Sequence, residues 1–122
     1  VADIAEVVAL LNKFNVGNVI TATPARRSPY FNLVETDDTG VPSLSKPLSN
    51  GVVRRQDAPA CYDMNASIYA WHRDELIAMN SVFSPRTQLY VMPEERSIDI
   101  DSPLDFKVVS ILLEEQYGRG TQ

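Results

Sequence analysis

The chain has 122 residues, of which 44% are hydrophobic and 22% are charged, with a formal net charge of -5. This composition fits one compact soluble domain and excludes a collagen-like or wholly disordered chain. The negative charge disfavours nucleic acid as a partner. The single cysteine, Cys61, excludes an internal disulfide and fits a reducing compartment, so we expect a cytoplasmic protein. No stretch has the pattern of a signal peptide or a membrane span, so no membrane partner is expected.

The predicted elements alternate between helix and strand along the chain. In order, they are a helix ending near 15–17, a strand over 18–23, a proline-rich block over 24–59, a strand over 66–71, a short helix over 72–77, a strand over 87–92 and a final helix from Pro103. The first helix carries an apolar stripe of Val1, Ile4, Val7, Val8, Leu11 and Phe14, and the final helix a predicted buried face of Leu104, Val108, Ile111 and Leu112. This alternation predicts an α/β fold with a mixed or parallel sheet flanked by helices.

The proline-rich block interrupts this alternation. Short extended pieces within it flank an Asp38-Thr39-Gly40 turn, which is the pattern of a β-hairpin. We therefore interpret the block as a hairpin-bearing excursion from the α/β fold.

An acidic pattern, Ser97-Ile98-Asp99-Ile100-Asp101, leads directly into the final helix. On an extended chain Asp99 and Asp101 lie on one side, roughly 6.5 Å apart. They could hold Mg²⁺ there, with substrate phosphates and water completing its octahedron. Asp and Ser before a helix are also capping residues, and Ser102 with Asp105 resembles a capping box. Spacing alone leaves metal binding and capping open for the first two aspartates, whereas we assign Asp105 to capping.

A basic pattern, Arg54-Arg55-Gln56-Asp57, precedes Asn65 and Tyr69 in the sequence. Arginine binds carboxylates with two parallel hydrogen bonds, and Gln or Asn can recognise hydroxyl and acetamido groups, as an acidic sugar requires. A solvated charged loop is the alternative, and spacing does not decide between them. The five glycines are too scattered for a phosphate-binding loop of the GxGxxG or GxxxxGK type.

Taken together, three motifs resemble the cytidylyltransferases that activate N-acylneuraminate and related nonulosonic acids. They are RRQDAP over 54–59, NASIY over 65–69 and SIDID over 97–101. The stretches 28–32 and 83–92 are also similar, so the resemblance covers nearly the whole chain. It implies a Rossmann-like nucleotidyltransferase fold that transfers CMP from CTP to the anomeric hydroxyl of an acidic nine-carbon sugar and releases pyrophosphate.

The resemblance also implies a set of site residues. Asp99 and Asp101 would bind Mg²⁺ and serve the catalytic step. The residues implied in sugar binding are Arg55, Gln56, Asn65, Tyr69 and Phe83. Residues 24–62 would form a dimerisation element, so the resemblance implies a homodimer.

The chain departs from the family pattern in two respects. The family's basic, glycine-containing nucleotide loop has no counterpart, so residues 1–122 would be the C-terminal portion of one cytidylyltransferase domain, inactive without the N-terminal nucleotide-binding portion. Asp63 stands where some members carry a basic residue, which leaves sialic, legionaminic and pseudaminic acids all open. A non-catalytic sugar-binding or dimerisation module is the alternative function. A phosphatase with Asp99 as nucleophile is a weaker alternative, because charged residues precede the acidic pattern.

Overall fold

The computed structural model describes residues 2–47 and 57–118. It divides into two compact units, each considered by itself. Val1–Thr23 with Met64–Gln122 form the first, here named the sheet unit, and Pro24–Asp63 form the second, the hairpin unit.

Within the described residues, the sheet unit contains three α-helices and three strands. They are α1 (Ala2–Leu11), β1 (Asn18–Pro24), β4 (Tyr62–Trp71), α2 (Arg73–Ala78), β5 (Thr87–Val91) and α3 (Pro103–Gly118), with a short 3₁₀ helix at Glu94–Arg96. The two strands β2 (Val34–Thr36) and β3 (Pro42–Leu44) belong to the hairpin unit. The predicted alternation of helix and strand is therefore confirmed.

The strand order of the sheet is β4-β1-β5. Strands β1 and β5 are parallel, with Asn18 opposite Thr87 and Ala22 opposite Val91. Strand β4 is antiparallel to β1. The His72 amide donates to the Gly17 carbonyl and the Ile68 amide donates to the Thr21 hydroxyl, so residue numbers fall along β4 as they rise along β1. The sheet is thus mixed and flanked by helices, as predicted, and this arrangement is consistent with a Rossmann-like fold.

The core lies between α1 and one face of this sheet. It consists of Val7 and Leu11 of the helix with Val16 and Val19, and Ile68, Ala70, Tyr90 and Leu10 pack around them. Strand β1 is buried from Asn18 to Thr23, which is the pattern of a central strand covered on both faces. Its run of Val, Ile and Thr suits that position, since β-branched side chains pack well on a pleated surface.

Several predicted core positions are not buried in the described residues. Phe14 lies beyond the end of α1 and is fully exposed, and Ile4 and Val8 are also exposed. Helix α3 buries none of its residues, so the prediction of a buried face on that helix is wrong for this structure. The apolar periodicity predicts which side chains of a helix can pack against another element. In the described residues, no other element covers these side chains.

The hairpin unit contains the predicted turn. Strands β2 and β3 pair antiparallel, and Gly40 in the turn has φ +84°, in the left-handed region that glycine tolerates. The Asp37 carboxylate accepts hydrogen bonds from the amides of Thr39 and Val41 at 2.9 and 3.0 Å, which closes the turn. No helix in the described ranges is long and apolar enough to cross a membrane.

Candidate active site

The acidic segment, defined here as Ser97–Ser102, connects the 3₁₀ helix to α3 without regular secondary structure. Both Asp99 and Asp101 are exposed. Exposed carboxylates keep their hydration and remain available to a ligand, whereas buried ones are normally paired. Hydrogen bonds hold the segment at its two ends, through Ser97 and Ser102.

Ser102 and Asp105 hold the C-terminal end of the acidic segment. The Ser102 amide and hydroxyl donate to the Asp105 carboxylate at 2.9 and 2.6 Å, and the Asp105 amide donates back to the Ser102 hydroxyl at 3.2 Å. This is the predicted capping box, with Pro103 in the first position of α3. The Ser102 hydrogen bonds lower the pKa of Asp105. Asp105 therefore caps the helix, and in this role it differs from Asp99 and Asp101.

A polar network anchors the N-terminal end through Ser97. The Ser97 hydroxyl donates to the Pro93 carbonyl at 2.8 Å and accepts from the Asn65 amide nitrogen at 3.0 Å. The Asn65 carbonyl oxygen in turn accepts from the buried Thr21 hydroxyl at 2.7 Å. Asn65 thus connects the middle strand of the sheet to the first residue of the acidic segment.

The backbone beside Asn65 is unusual for a strand. Ala66 has φ +48°, in the left-handed region that an alanine seldom adopts. The distortion is accompanied by a hydrogen bond from the Ser67 amide to the Asn65 carbonyl oxygen at 3.2 Å. Strain of this kind persists where the surrounding structure fixes it, as the network of Asn65 does here.

A second anchor lies one residue earlier, at Arg96. Its guanidinium donates to both carboxylate oxygens of Asp3 at 2.8 and 2.9 Å, and the Tyr90 hydroxyl donates to the same carboxylate at 3.1 Å. The Arg96 hydrogen bonds hold the pKa of Asp3 below its ordinary value, although burial opposes the shift. The first turn of α1 is thereby joined to the residue that precedes the acidic segment.

We expect Asp3→Asn to destabilise the sheet unit in a pH-dependent way. An amide cannot accept both guanidinium hydrogen bonds as a carboxylate does, so Tm at pH 7 should fall by about 5 °C or more. Because the pKa of Asp3 is lowered on folding, its contribution is complete above the unfolded value of 3.8 and is lost as pH falls below it. The Tm difference between wild type and Asp3→Asn, followed by circular dichroism, should therefore shrink below about pH 4. A difference that stays constant down to pH 3 would contradict this assignment.

Curated proteins that are similar to this chain include two from Campylobacter species. The chain is 53% identical over 95 residues to a CMP-N,N'-diacetyllegionaminic acid synthase of Campylobacter jejuni, covering 78% of this chain and 39% of that protein. The chain is homologous to CMP-nonulosonic acid synthetases. The second relative, a post-translational flagellin modification protein B of Campylobacter coli, is 50% identical over 99 residues, covering 81% of this chain and 41% of that protein. The predicted resemblance is thus confirmed, and the chain spans about two fifths of the length of the relatives it matches. No protein-family model matches the chain.

The donor set of the acidic segment fits a divalent metal of the kind that cytidylyltransferases use. Carboxylate oxygens are the ligands that Mg²⁺ prefers, and it is commonly held by one or two carboxylates with phosphates and water. Within residues 2–47 and 57–118, no group of three or more His, Cys, Asp or Glu side chains could hold a metal by itself. By residue type, Asp99 and Asp101 match the pattern of one or two carboxylates.

The predicted sugar-binding residues lie in different parts of the chain. Of those that the structure describes, Asn65 is the one with a hydrogen bond to the acidic segment, through Ser97. Tyr69 stacks on Trp71, with ring centroids 5.7 Å apart and planes inclined by 20°. Phe83 is exposed in the loop that follows α2. The other two, Arg55 and Gln56, lie outside the described residues.

The loop that carries Phe83 is held by a buried side chain that the sequence did not single out. The Asn18 amide nitrogen donates to the Val82 carbonyl at 2.8 Å, and the Asn18 carbonyl oxygen accepts from the Thr87 hydroxyl at 2.7 Å. A fully buried polar side chain needs such partners. The sequence feature that could have indicated this role is an asparagine at the start of an otherwise apolar strand. Asp3, Thr21 and Arg96 gave no comparable signal, because each is an ordinary residue for its local element.

Proposed function

We propose that this chain is a segment of a cytidylyltransferase that transfers CMP from CTP to the anomeric hydroxyl of a nonulosonic acid. The observation that carries the proposal is the 53% identity to a CMP-N,N'-diacetyllegionaminic acid synthase. The exposed carboxylates of the acidic segment, held at both ends, are compatible with that chemistry. The anomeric oxygen forms a bond to the α-phosphorus while the bond from that phosphorus to the pyrophosphate oxygen breaks, and the hydroxyl proton passes to solvent.

Asp99 and Asp101 are the catalytic residues in this proposal, as ligands of Mg²⁺. The bound ion would neutralise negative charge on the triphosphate. The chain's own contribution is to hold the two carboxylates at a fixed place beside the reacting groups, and catalysis of phosphoryl transfer depends largely on such positioning and electrostatics. The two anchors of the acidic segment suit that task.

The sugar would be bound by residues of β4 and of the loop after α2. Tyr69 and Phe83 are exposed aromatic side chains that can pack on the apolar face and acetamido methyl groups of a nonulosonic acid. Asn65, Arg55 and Gln56 complete the proposed set, with the arginine suited to the sugar carboxylate. N,N'-diacetyllegionaminic acid is the first substrate to test, because it is named in the related synthase.

Two further features belong to the proposal. The hairpin unit, which covers the predicted residues 24–62, would contribute to a homodimer interface. Its exposed apolar side chains Leu33, Val34, Val41 and Leu44 support that role, since clustered apolar surface commonly marks an interface. A cytoplasmic location fits an enzyme that consumes CTP.

The proposal is tested by pyrophosphate release from the full-length protein that contains this chain. The assay contains CTP, Mg²⁺ and either N,N'-diacetyllegionaminic, pseudaminic or N-acetylneuraminic acid, with controls that omit the sugar or the nucleotide. Release that requires both substrates supports the transferase. Sugar binding measured by calorimetry without any release would instead favour the non-catalytic module.

We expect Phe83→Ala to raise KM for the sugar about tenfold while leaving KM for CTP within twofold. The reason is the loss of the apolar contact of one aromatic ring, of the order of 1–2 kcal/mol. Initial rates at varied sugar and fixed CTP measure the effect, and Phe14→Ala, which removes another exposed phenyl ring of the sheet unit, is the matched control. An equal change in the sugar KM of both variants would show that Phe83 does not contact the sugar.

A further inference from the structure

Two hydrogen-bonded side chains meet at the N-terminal end of the acidic segment. Arg96 is held by Asp3 of α1, and the neighbouring Ser97 is held by Asn65 of β4. These contacts join residues that are 93 and 32 positions apart in the chain. Two consecutive residues, of which the second lies two positions before Asp99, are therefore fixed to different elements of the sheet unit.

The Arg96 contact has the geometry of a positioning contact. A bidentate guanidinium–carboxylate pair fixes direction as well as distance, which a single hydrogen bond does not. Its partner Asp3 is buried, and Tyr90 donates a third hydrogen bond to that carboxylate. The Arg96 side chain is half exposed, so this contact lies at the surface of the protein, where the acidic segment begins.

We propose that Arg96 and Ser97 are positioning residues that fix the acidic segment, so that Asp99 and Asp101 are presented to the metal together. This inference rests on the proposed function, in which those aspartates hold Mg²⁺. With the segment fixed, binding a cation orders little additional chain, whereas a loose segment loses conformational freedom when both carboxylates engage the ion. Loss of either anchor should therefore weaken metal binding.

Electrostatics alone predicts the opposite result for Arg96→Ala. Removing a positive charge three residues from Asp99, and leaving the Asp3 carboxylate without its partner, makes the neighbourhood more negative. A more negative site attracts a cation more strongly. Weaker metal binding in this variant can therefore not be a charge effect, and it separates positioning from simple electrostatics.

The test is Mn²⁺ binding to the full-length protein, measured without substrates from the electron paramagnetic resonance signal of the free ion. We expect Arg96→Ala to raise the Kd for Mn²⁺ at least about fivefold, and Arg96→Lys, which keeps the charge but loses the bidentate geometry, to raise it less. Thermal unfolding of each variant is recorded in parallel.

Arg86→Ala is the matched control, because Arg86 forms an ion pair with Glu75 elsewhere in the sheet unit. It should lower Tm but leave the Kd for Mn²⁺ within twofold. If Arg96→Ala does not fold, Ser97→Ala replaces it, since that change removes only the hydroxyl that joins Asn65 to the segment.

Asp99→Ala with Asp101→Ala distinguishes the two proposals. If this double variant binds Mn²⁺ as wild type does, the metal site of the proposed function is wrong, and the positioning role falls with it. If the double variant loses Mn²⁺ binding while folded Arg96→Ala and Ser97→Ala bind it as wild type does, the proposed function stands and the positioning role is overturned.

Discussion

Replacing Asp99 and Asp101 together with alanine is expected to lower the rate of pyrophosphate release by the full-length protein at least about a thousandfold. Both carboxylates are exposed and lie outside the core, so the expected cause is the loss of metal ligands and not unfolding. Tm should change by less than about 2 °C, as for most exposed substitutions. Initial rates with saturating CTP and sugar measure the effect.

The matched control is Glu114→Ala with Glu115→Ala, which removes two exposed negative charges from α3. It should retain wild-type turnover within about twofold, because the acidic segment is unchanged. A double aspartate variant that keeps more than a tenth of the wild-type rate would show that Asp99 and Asp101 are not the metal ligands. Equal losses in both double variants would indicate a general charge effect.

The chain of 122 residues by itself is expected to release no pyrophosphate above background from CTP and sugar, whereas the full-length protein is expected to turn over. The sequence has no glycine-rich phosphate loop of the GxGxxG or GxxxxGK type, so we expect the triphosphate to be bound by residues outside this chain. Holding the two reactants together accounts for many orders of magnitude of the rate enhancement. A segment that does not bind the nucleotide would lack this contribution.

The same isolated chain is expected to associate in solution. Leu104, Phe106, Ile111 and Tyr117 of α3 are each more than half exposed, and apolar side chains left uncovered in this way favour association. Size-exclusion chromatography with light scattering measures the mass. A monodisperse monomer with wild-type turnover would contradict both expectations, and it would place the nucleotide site within these 122 residues.

The sequence predicted those parts of the fold that depend on local chemistry. The capping box of Ser102 and Asp105 follows from side chains that satisfy the free amides of the helix start. The turn at Asp38–Gly40 follows from residues that tolerate its backbone angles. The strand predicted over 18–23 follows from its β-branched run. Each depends on neighbours in the chain and can therefore be predicted without the tertiary structure.

The contacts that hold the acidic segment could not be predicted in this way. Asp3 is an ordinary acidic residue in the first turn of a helix, where the helix dipole alone would account for it. Nothing local shows that it binds Arg96, 93 positions away. Asn65 was predicted to contact sugar, which stays a prediction. Its hydrogen bonds with Thr21 and Ser97 could not be predicted, because this connection becomes visible only once the strands are paired.

The most direct test of the central claim is to detect the reaction product. The full-length protein is incubated with CTP, Mg²⁺ and N,N'-diacetyllegionaminic acid, and the mixture is analysed by mass spectrometry. We predict a new species in which CMP is joined to the sugar, formed in equal amount to pyrophosphate and absent when Asp99 and Asp101 are replaced by alanine. Pyrophosphate or phosphate released without any such conjugate, or no conjugate with any of the three nonulosonic acids, would contradict the assignment.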